Sequence, residues 1–153
     1  MNVRKRILIV DDDERVLWVL HDALVRVEDG YEVVTARGGR EALHEFGEQP
    51  FDLVITDLRM PDMNGIELTE AIRALDPGAA VIWITAYGSH EVRDELARLA
   101  VYDCLDKPLE IAEIRQVVRE ALEATESQKQ SDWPIATSRG CGRAAKRSRL
   151  ADL

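Results

Sequence analysis

Asp57 stands at the end of an apolar run, and it is not alone. Asp11, Asp12 and Asp13 close an earlier apolar run, and Lys107 closes a later one. The three runs, Ile7–Val10, Leu53–Thr56 and Tyr102–Leu105, each read as a short strand. If these strands lie parallel in one sheet, their C-terminal ends meet, and the carboxylates and the amine meet with them. Clustered carboxylates repel one another unless a hard cation neutralises them. An oxygen-rich cluster without His or Cys suits Mg2+, or Mn2+. In outline this is a site for phosphoryl transfer, carried by the group and by no single member of it.

The elements that must position these residues follow an alternating pattern. Short β-rich runs alternate with segments of helical period, which predicts a parallel sheet covered on both faces, an α/β three-layer sandwich. Strand one spans Arg6–Val10, and helix one spans about Glu14–Val27, with Val16, Leu20, Leu24 and Val27 on one stripe. Asp13 is placed to cap that helix. Strand two is Glu32–Thr35, and Gly38-Gly39 punctuates the chain before a short helix carrying Ala42, Leu43 and Phe46. Strand three, Asp52–Thr56, runs into Asp57. The turn chemistry of Met60-Pro61-Asp62-Met63-Asn64-Gly65 then leads to a helix with Leu68, Ile72 and Leu75. Ala80–Ile84 is a continuous apolar run, as a strand buried on both faces requires. Helix four is expected at about Ser89–Leu99 with Val92, Leu96 and Leu99 inward. Helix five is expected from just after Pro108 to about Glu123, with Ile111, Ile114, Val118, Ala121 and Leu122 inward.

Bulk properties narrow the classes. The chain has 153 residues, 46% of them apolar and 32% charged, which fits one soluble domain. No stretch reaches 18 apolar residues, and Arg4-Lys5-Arg6 leads directly into a strand, so neither a membrane span nor a signal peptide is expected. Cys104 and Cys141 have no ligand-like spacing and read as cytoplasmic thiols. Residues 1–124 hold 14 Lys+Arg against 26 Asp+Glu, whereas residues 125–153 hold 6 against 3. The acidic part is a poor nucleic-acid ligand. The basic end, with Arg139, Arg143, Lys146, Arg147 and Arg149, lacks periodicity. It reads as a flexible tail or linker stub following a domain of residues 1–124.

In a doubly wound sheet, ligands bind beyond the carboxyl ends of the strands, where the winding reverses. Asp11, Asp12, Asp57, Thr85 and Lys107 all fall at such ends. The pieces Ile7-Leu8-Ile9-Val10-Asp11-Asp12-Asp13, Asp57-Leu58-Arg59-Met60-Pro61-Asp62-Met63-Asn64-Gly65, Thr85-Ala86-Tyr87 and Lys107-Pro108 occur in that order. Over about residues 4–124, this text resembles the receiver domain of two-component response regulators. The resemblance implies a flavodoxin-like sheet of five parallel strands in the order 2-1-3-4-5. It also implies that Asp57 accepts a phosphoryl group from a histidine kinase or a histidine phosphotransfer protein.

The same resemblance assigns Mg2+ to Asp12, Asp57 and the Arg59 carbonyl, with Asp11 acting mainly through water. It gives Thr85 and Lys107 the phosphoryl oxygens and makes Tyr102 an aromatic switch that moves with Thr85. It places the output on a face of helix four, strand five and helix five, here including Val92, Glu95, Tyr102, Asp103 and Glu110, which would dimerise or receive a protein partner. Such a domain is a cytoplasmic switch and not a multiple-turnover enzyme. Direct nucleic-acid binding by it is not expected.

Some positions depart from the usual family text. Ala100-Val101 stands where Gly-Ala is common, and Asp106 adds a carboxylate before Lys107, with the side chain expected to point to solvent. Trp18, His21 and Trp83 are expected to fill core or helix–helix space. Two other readings compete with the phosphoryl switch. One keeps the fold as a phosphorylation-independent interaction module, or as the receiver piece of a longer transcriptional regulator. The other is a small phosphate-ester hydrolase with an aspartyl nucleophile, but the loops are too short to supply the lid it would need.

Overall fold

The computed structural model describes residues 4–27, 30–86 and 92–131. Its elements are β1 (Arg6–Val10), α1 (Glu14–Val25), β2 (Glu32–Ala36), α2 (Gly39–Glu48) and β3 (Leu53–Asp57). They continue as α3 (Gly65–Leu75), β4 (Ala80–Thr85), α4 (Arg93–Arg98), β5 (Asp103–Asp106) and α5 (Ile111–Ser131). The five strands form one sheet in the order β2-β1-β3-β4-β5, and every neighbouring pair is parallel. The chain winds outward from β1 to β2 and then returns past β1 to β3. A crevice therefore opens between the ends of β1 and β3.

Strand alternation sorts the apolar side chains into two cores. Ile7, Ile9, Ile55, Ile82, Ile84 and Leu105 point to one face, where Leu17, Leu20 and Leu24 of α1 and Ile114, Val117, Val118 and Ala121 of α5 cover them. Leu8, Val10, Val54, Val81 and Trp83 point to the other, beneath α2, α3 and α4. Each buried aliphatic side chain contributes roughly 1.5–3 kcal/mol relative to exposure, so both faces must be covered for the sheet to hold. Local signals set the helix starts. Asp13 Oδ1 accepts from Arg15 N at 2.9 Å, and Asn64 and Glu67 form a reciprocal capping box at the start of α3.

The structure differs from the sequence reading at several places. Trp18 is not core filler: it is 70% exposed and overhangs edge strand β2 beside Thr35 and Arg37. His21 is exposed as well, and Leu20 occupies the inward position between them. Leu75 (61% exposed) and Ile111 (47%) lie at helix termini, beyond the reach of the sheet. Asp103, expected on the output face, is fully buried: β5 begins there, and its Oδ1 accepts the Cys104 amide at 2.8 Å. Helix α5 continues past Glu123 to Ser131. The added turns lack apolar period, but Thr125 Oγ1 donates to Ala121 O and Glu126 pairs with Lys5 at 2.9 Å. Tyr87, the expected start of helix four from Ser89, and residues 132–153, including Cys141 and the basic cluster, lie outside the described residues.

Candidate functional site

Asp57 is the last residue of β3, and its side chain is 8% exposed. Neighbouring β1 ends at Val10, so Asp11 emerges beside it. Asp11 is buried and Asp12 is exposed at the mouth of the crevice. One carboxylate oxygen from each of Asp11, Asp12 and Asp57 lies within 4.8 Å of the others. The Asp13 amide donates to Asp11 Oδ1 at 2.9 Å, so the residue that caps α1 also orients the acid two positions before it.

Lys107 follows the end of β5 and reaches across to the same crevice. Its backbone N–H donates to Thr85 O at 2.8 Å, and its Nζ lies 3.3 Å from Asp11 Oδ2 and 3.3 Å from Asp57 Oδ2. The following Lys107–Pro108 bond is cis. Thr85 ends β4 and is buried, with Asp106 as its register partner. The Asp106 side chain is exposed, as expected, while Lys107 is taken by Asp11 and Asp57. Arg59 is exposed, and its amide donates to Asp57 Oδ1 at 3.3 Å.

Charge at the site is unbalanced in a useful way. Burial pushes the Asp11 carboxyl up, and the Asp57 charge adds to that, more than offsetting the Asp13 amide and Lys107. Burial pulls the Lys107 ammonium down, but the carboxylates of Asp11 and Asp57 outweigh it and the net direction is up. The ammonium therefore stays charged, and among the described residues the three clustered carboxylates outnumber it, with Lys107 Nζ bonded to Asp11 and Asp57. The donor set is oxygen only, which fits a hard divalent ion, and the residual negative charge favours one.

The backbone behind Asp57 is held as closely as its side chain. Gly65 N donates to Leu58 O at 3.0 Å, and a Cβ on Gly65 would sit 2.4 Å from Asp57 O. Only glycine lets the first turn of α3 approach that carbonyl. Thr56 Oγ1 donates to the same Asp57 oxygen at 2.9 Å, and Leu58 N donates to Ile84 O at 3.0 Å.

Tyr102 is not brought to Thr85. Its amide bonds Val81 O near the start of β4, four residues before Thr85, and its ring packs on the core beneath α1 and α5. Trp83 belongs to the opposite core, and strand alternation puts Thr85 on its face. The large ring on the Thr85 side of β4 is therefore Trp83, with Cys104 as its register partner across β5. The aromatic-before-lysine pattern pointed to Tyr102. Counting alternate residues along β4 from Thr85 would have pointed to Trp83.

Fold and site together define a small α/β domain with an acidic crevice at the carboxyl edge of its sheet. The family model described as the response regulator receiver domain matches residues 7–119. The chain belongs to that family. It is 37% identical over 147 residues to the transcriptional regulatory protein ZraR of Escherichia coli, covering 96% of this chain and 33% of that protein. It is 35% identical to the regulatory protein AtoC of Escherichia coli, covering 85% of this chain and 28% of that one. The chain thus spans about a third of the length of the curated relatives it matches. A CheY-like receiver domain from Methanospirillum hungatei superposes with a TM-score of 0.77 at 32% identity, covering 82% of this chain and 99% of that one. Among the described residues, no helix is long and apolar enough to cross a membrane.

Proposed function

We propose that Asp57 is the phosphoacceptor of this receiver domain and that the donor is a phosphohistidine on a histidine kinase or phosphotransfer protein. The observation that carries this reading is the placement of the Asp57 carboxylate. It lies 3.3 Å from Lys107 Nζ and within 4.8 Å of the Asp11 and Asp12 oxygens, at the carboxyl edge of the sheet. An Asp57 oxygen attacks phosphorus, the P–N bond breaks, and its electron pair leaves on the imidazole nitrogen. Lys107 and the Thr85 hydroxyl take phosphoryl oxygens, so the chain's task is positioning and charge compensation, not covalent help. Asp12, Asp57 and the Arg59 carbonyl would hold Mg2+, or Mn2+, with Asp11 acting through water. The ion would offset charge on the transferring group.

The acyl phosphate adds about 1.5–2 negative charges by analogy with other phosphorylated side chains. That charge draws on Thr85 and Lys107 at the ends of β4 and β5, and the output face is α4–β5–α5, with Val92, Glu95 and Glu110 among its residues. A protein target or a second copy would bind there. The domain acts as a cytoplasmic switch without steady turnover. The names of the relatives support a place in a transcriptional regulator, the acidic domain itself making no direct contact with nucleic acid. Mg2+-dependent labelling of the wild-type protein by acetyl phosphate, lost in Asp57→Asn, is the expected result. Equal labelling of Asp57→Asn would remove Asp57 as acceptor. Partner binding indifferent to phosphodonor would favour the phosphorylation-independent module.

A further inference from the structure

A buried polar link between β4 and α3 takes no part in the transfer step. Trp83 is fully buried in β4, and its indole Nε1 donates to Thr69 Oγ1 at 2.8 Å. Thr69 is fully buried in α3, and the same hydroxyl donates to Gly65 O at 2.7 Å. Gly65 in turn rests against Asp57 O and bonds Leu58 O, as described above. A continuous path of hydrogen bonds and one backbone contact thus runs from the indole to the main chain of the acceptor. At its other end Trp83 is two residues before Thr85 on the same strand and the same face. It is also the register partner of Thr56, whose hydroxyl bonds the Asp57 carbonyl.

The main chain of Asp57 and the strand end that carries Thr85, which must serve one phosphoryl unit, are therefore both tied to the same buried ring. Resting α3 on apolar contact alone would leave its distance from β4 free to vary with small repacking. A hydroxyl that accepts from the indole and donates to the first turn of the helix fixes that distance at both ends. Hydrogen-bond geometry tolerates only a few tenths of an ångström.

We infer that Trp83 and Thr69 are positioning residues for phosphoryl transfer: a hydrogen-bonded strut that sets the spacing between Asp57 and Thr85. The strut rests on Asp57 being the acceptor, and Trp83 and Thr69 touch neither donor nor phosphoryl group. Transfer steps are sensitive to such spacing, and a misplacement of about 1 Å can cost about 100-fold. A looser strut is expected to cost about tenfold.

The test compares the rate of Asp57 labelling by acetyl phosphate in saturating Mg2+ for wild type, Thr69→Val, Thr69→Ser and Trp83→Phe. Each is measured well below its own unfolding midpoint. Thr69→Val keeps shape and removes the hydroxyl, and Trp83→Phe keeps an aromatic ring and removes the donor. Both are expected to label about tenfold slower, and Thr69→Ser, which keeps the oxygen, to label within about twofold of wild type. A merely structural pair would lower the unfolding midpoint and leave the labelling rate of folded protein unchanged. That result in either Thr69→Val or Trp83→Phe overturns the strut, and so does a Thr69→Ser protein as slow as Thr69→Val. Should one slow variant fail to fold, the other carries the comparison. Failure of the acceptor reading looks different: wild type would not label, or Asp57→Asn would label equally, and the positioning role would fall with it.

Discussion

Gly65→Ala tests how tightly the backbone of Asp57 is held. The added Cβ would meet Asp57 O at 2.4 Å and Leu58 Cα at 2.9 Å, both backbone atoms that cannot rotate aside. A carbon–oxygen contact normally rests at about 3.3–3.6 Å, so the first turn of α3 must retreat by about 1 Å. Overpacking of this kind costs about 1–3 kcal/mol. Gly47→Ala supplies the control. Gly47 is exposed near the end of α2 with no atom within 4 Å of its Cβ position, and alanine there should stabilise the helix by about 0.5–1 kcal/mol. Two chemically identical changes should thus separate by about 2–4 kcal/mol, or about 1–2 M in urea midpoint, measured by circular dichroism. Gly65→Ala should also slow labelling of Asp57 by acetyl phosphate. A Gly65→Ala protein that unfolds at or above the wild-type midpoint would show that α3 does not abut Asp57 and would refute the reasoning.

Three further outcomes are expected. Ala100 sits at φ +54°, a left-handed conformation that costs a side-chain-bearing residue roughly 1–2 kcal/mol. Ala100→Gly should therefore raise stability by about 0.5–1 kcal/mol, seen as roughly 2–5 °C in thermal melts. Asp11 has its folded-state pKa above the ordinary 3.8, so its contribution to stability is present below the unfolded value and is lost as pH rises through the raised folded one. In metal-free protein Asp11→Asn should consequently be more stable than wild type at pH 7, with the gain disappearing toward pH 4. A gain that persisted or grew on acidification would contradict the sign. Trp18→Ser should leave the urea midpoint equivalent to within about 0.5 kcal/mol, because the side chain is 70% exposed; a loss of several kcal/mol would return Trp18 to the core.

Much of the site was legible because the chain announces it locally. Asp11, Asp57 and Lys107 each end a run of apolar residues, and a parallel sheet gathers such ends whatever the details of packing. The run Ala80–Ile84 declared a strand buried on both faces, and Asn64-Gly65 declared the turn into α3. Amphipathic stripes found most inward positions of α5 but misplaced Ile111, and on α1 they found Leu20 and Leu24 while missing Leu17 and Ala23; Trp18, off the stripe, was expected as filler and is exposed. Periodicity reports which residues share a face and says nothing of where the covering neighbour stops. Trp18 lies over edge strand β2, where no further helix covers it among the described residues.

Tyr102, Asp103 and Trp83 show the other limit. The pairing of β5 with β4 buries Asp103 opposite Ile82 and leaves Tyr102 opposite Val81, four residues short of Thr85, and no local preference sets that register. It is settled by the whole ladder against β4, in which Trp83 pairs with Cys104 and Thr85 with Asp106. The sequence by itself determined the element order, the parallel sheet and the set of acidic and basic residues that gather at its edge, because period and charge are properties of short segments. Only the tertiary structure decided that Gly65 abuts the Asp57 carbonyl, that Thr69 ties Trp83 to that turn, and that the ring beside Thr85 is an indole on β4. Those contacts join segments distant in the chain through a single packing solution, and packing is a property of the assembled layers.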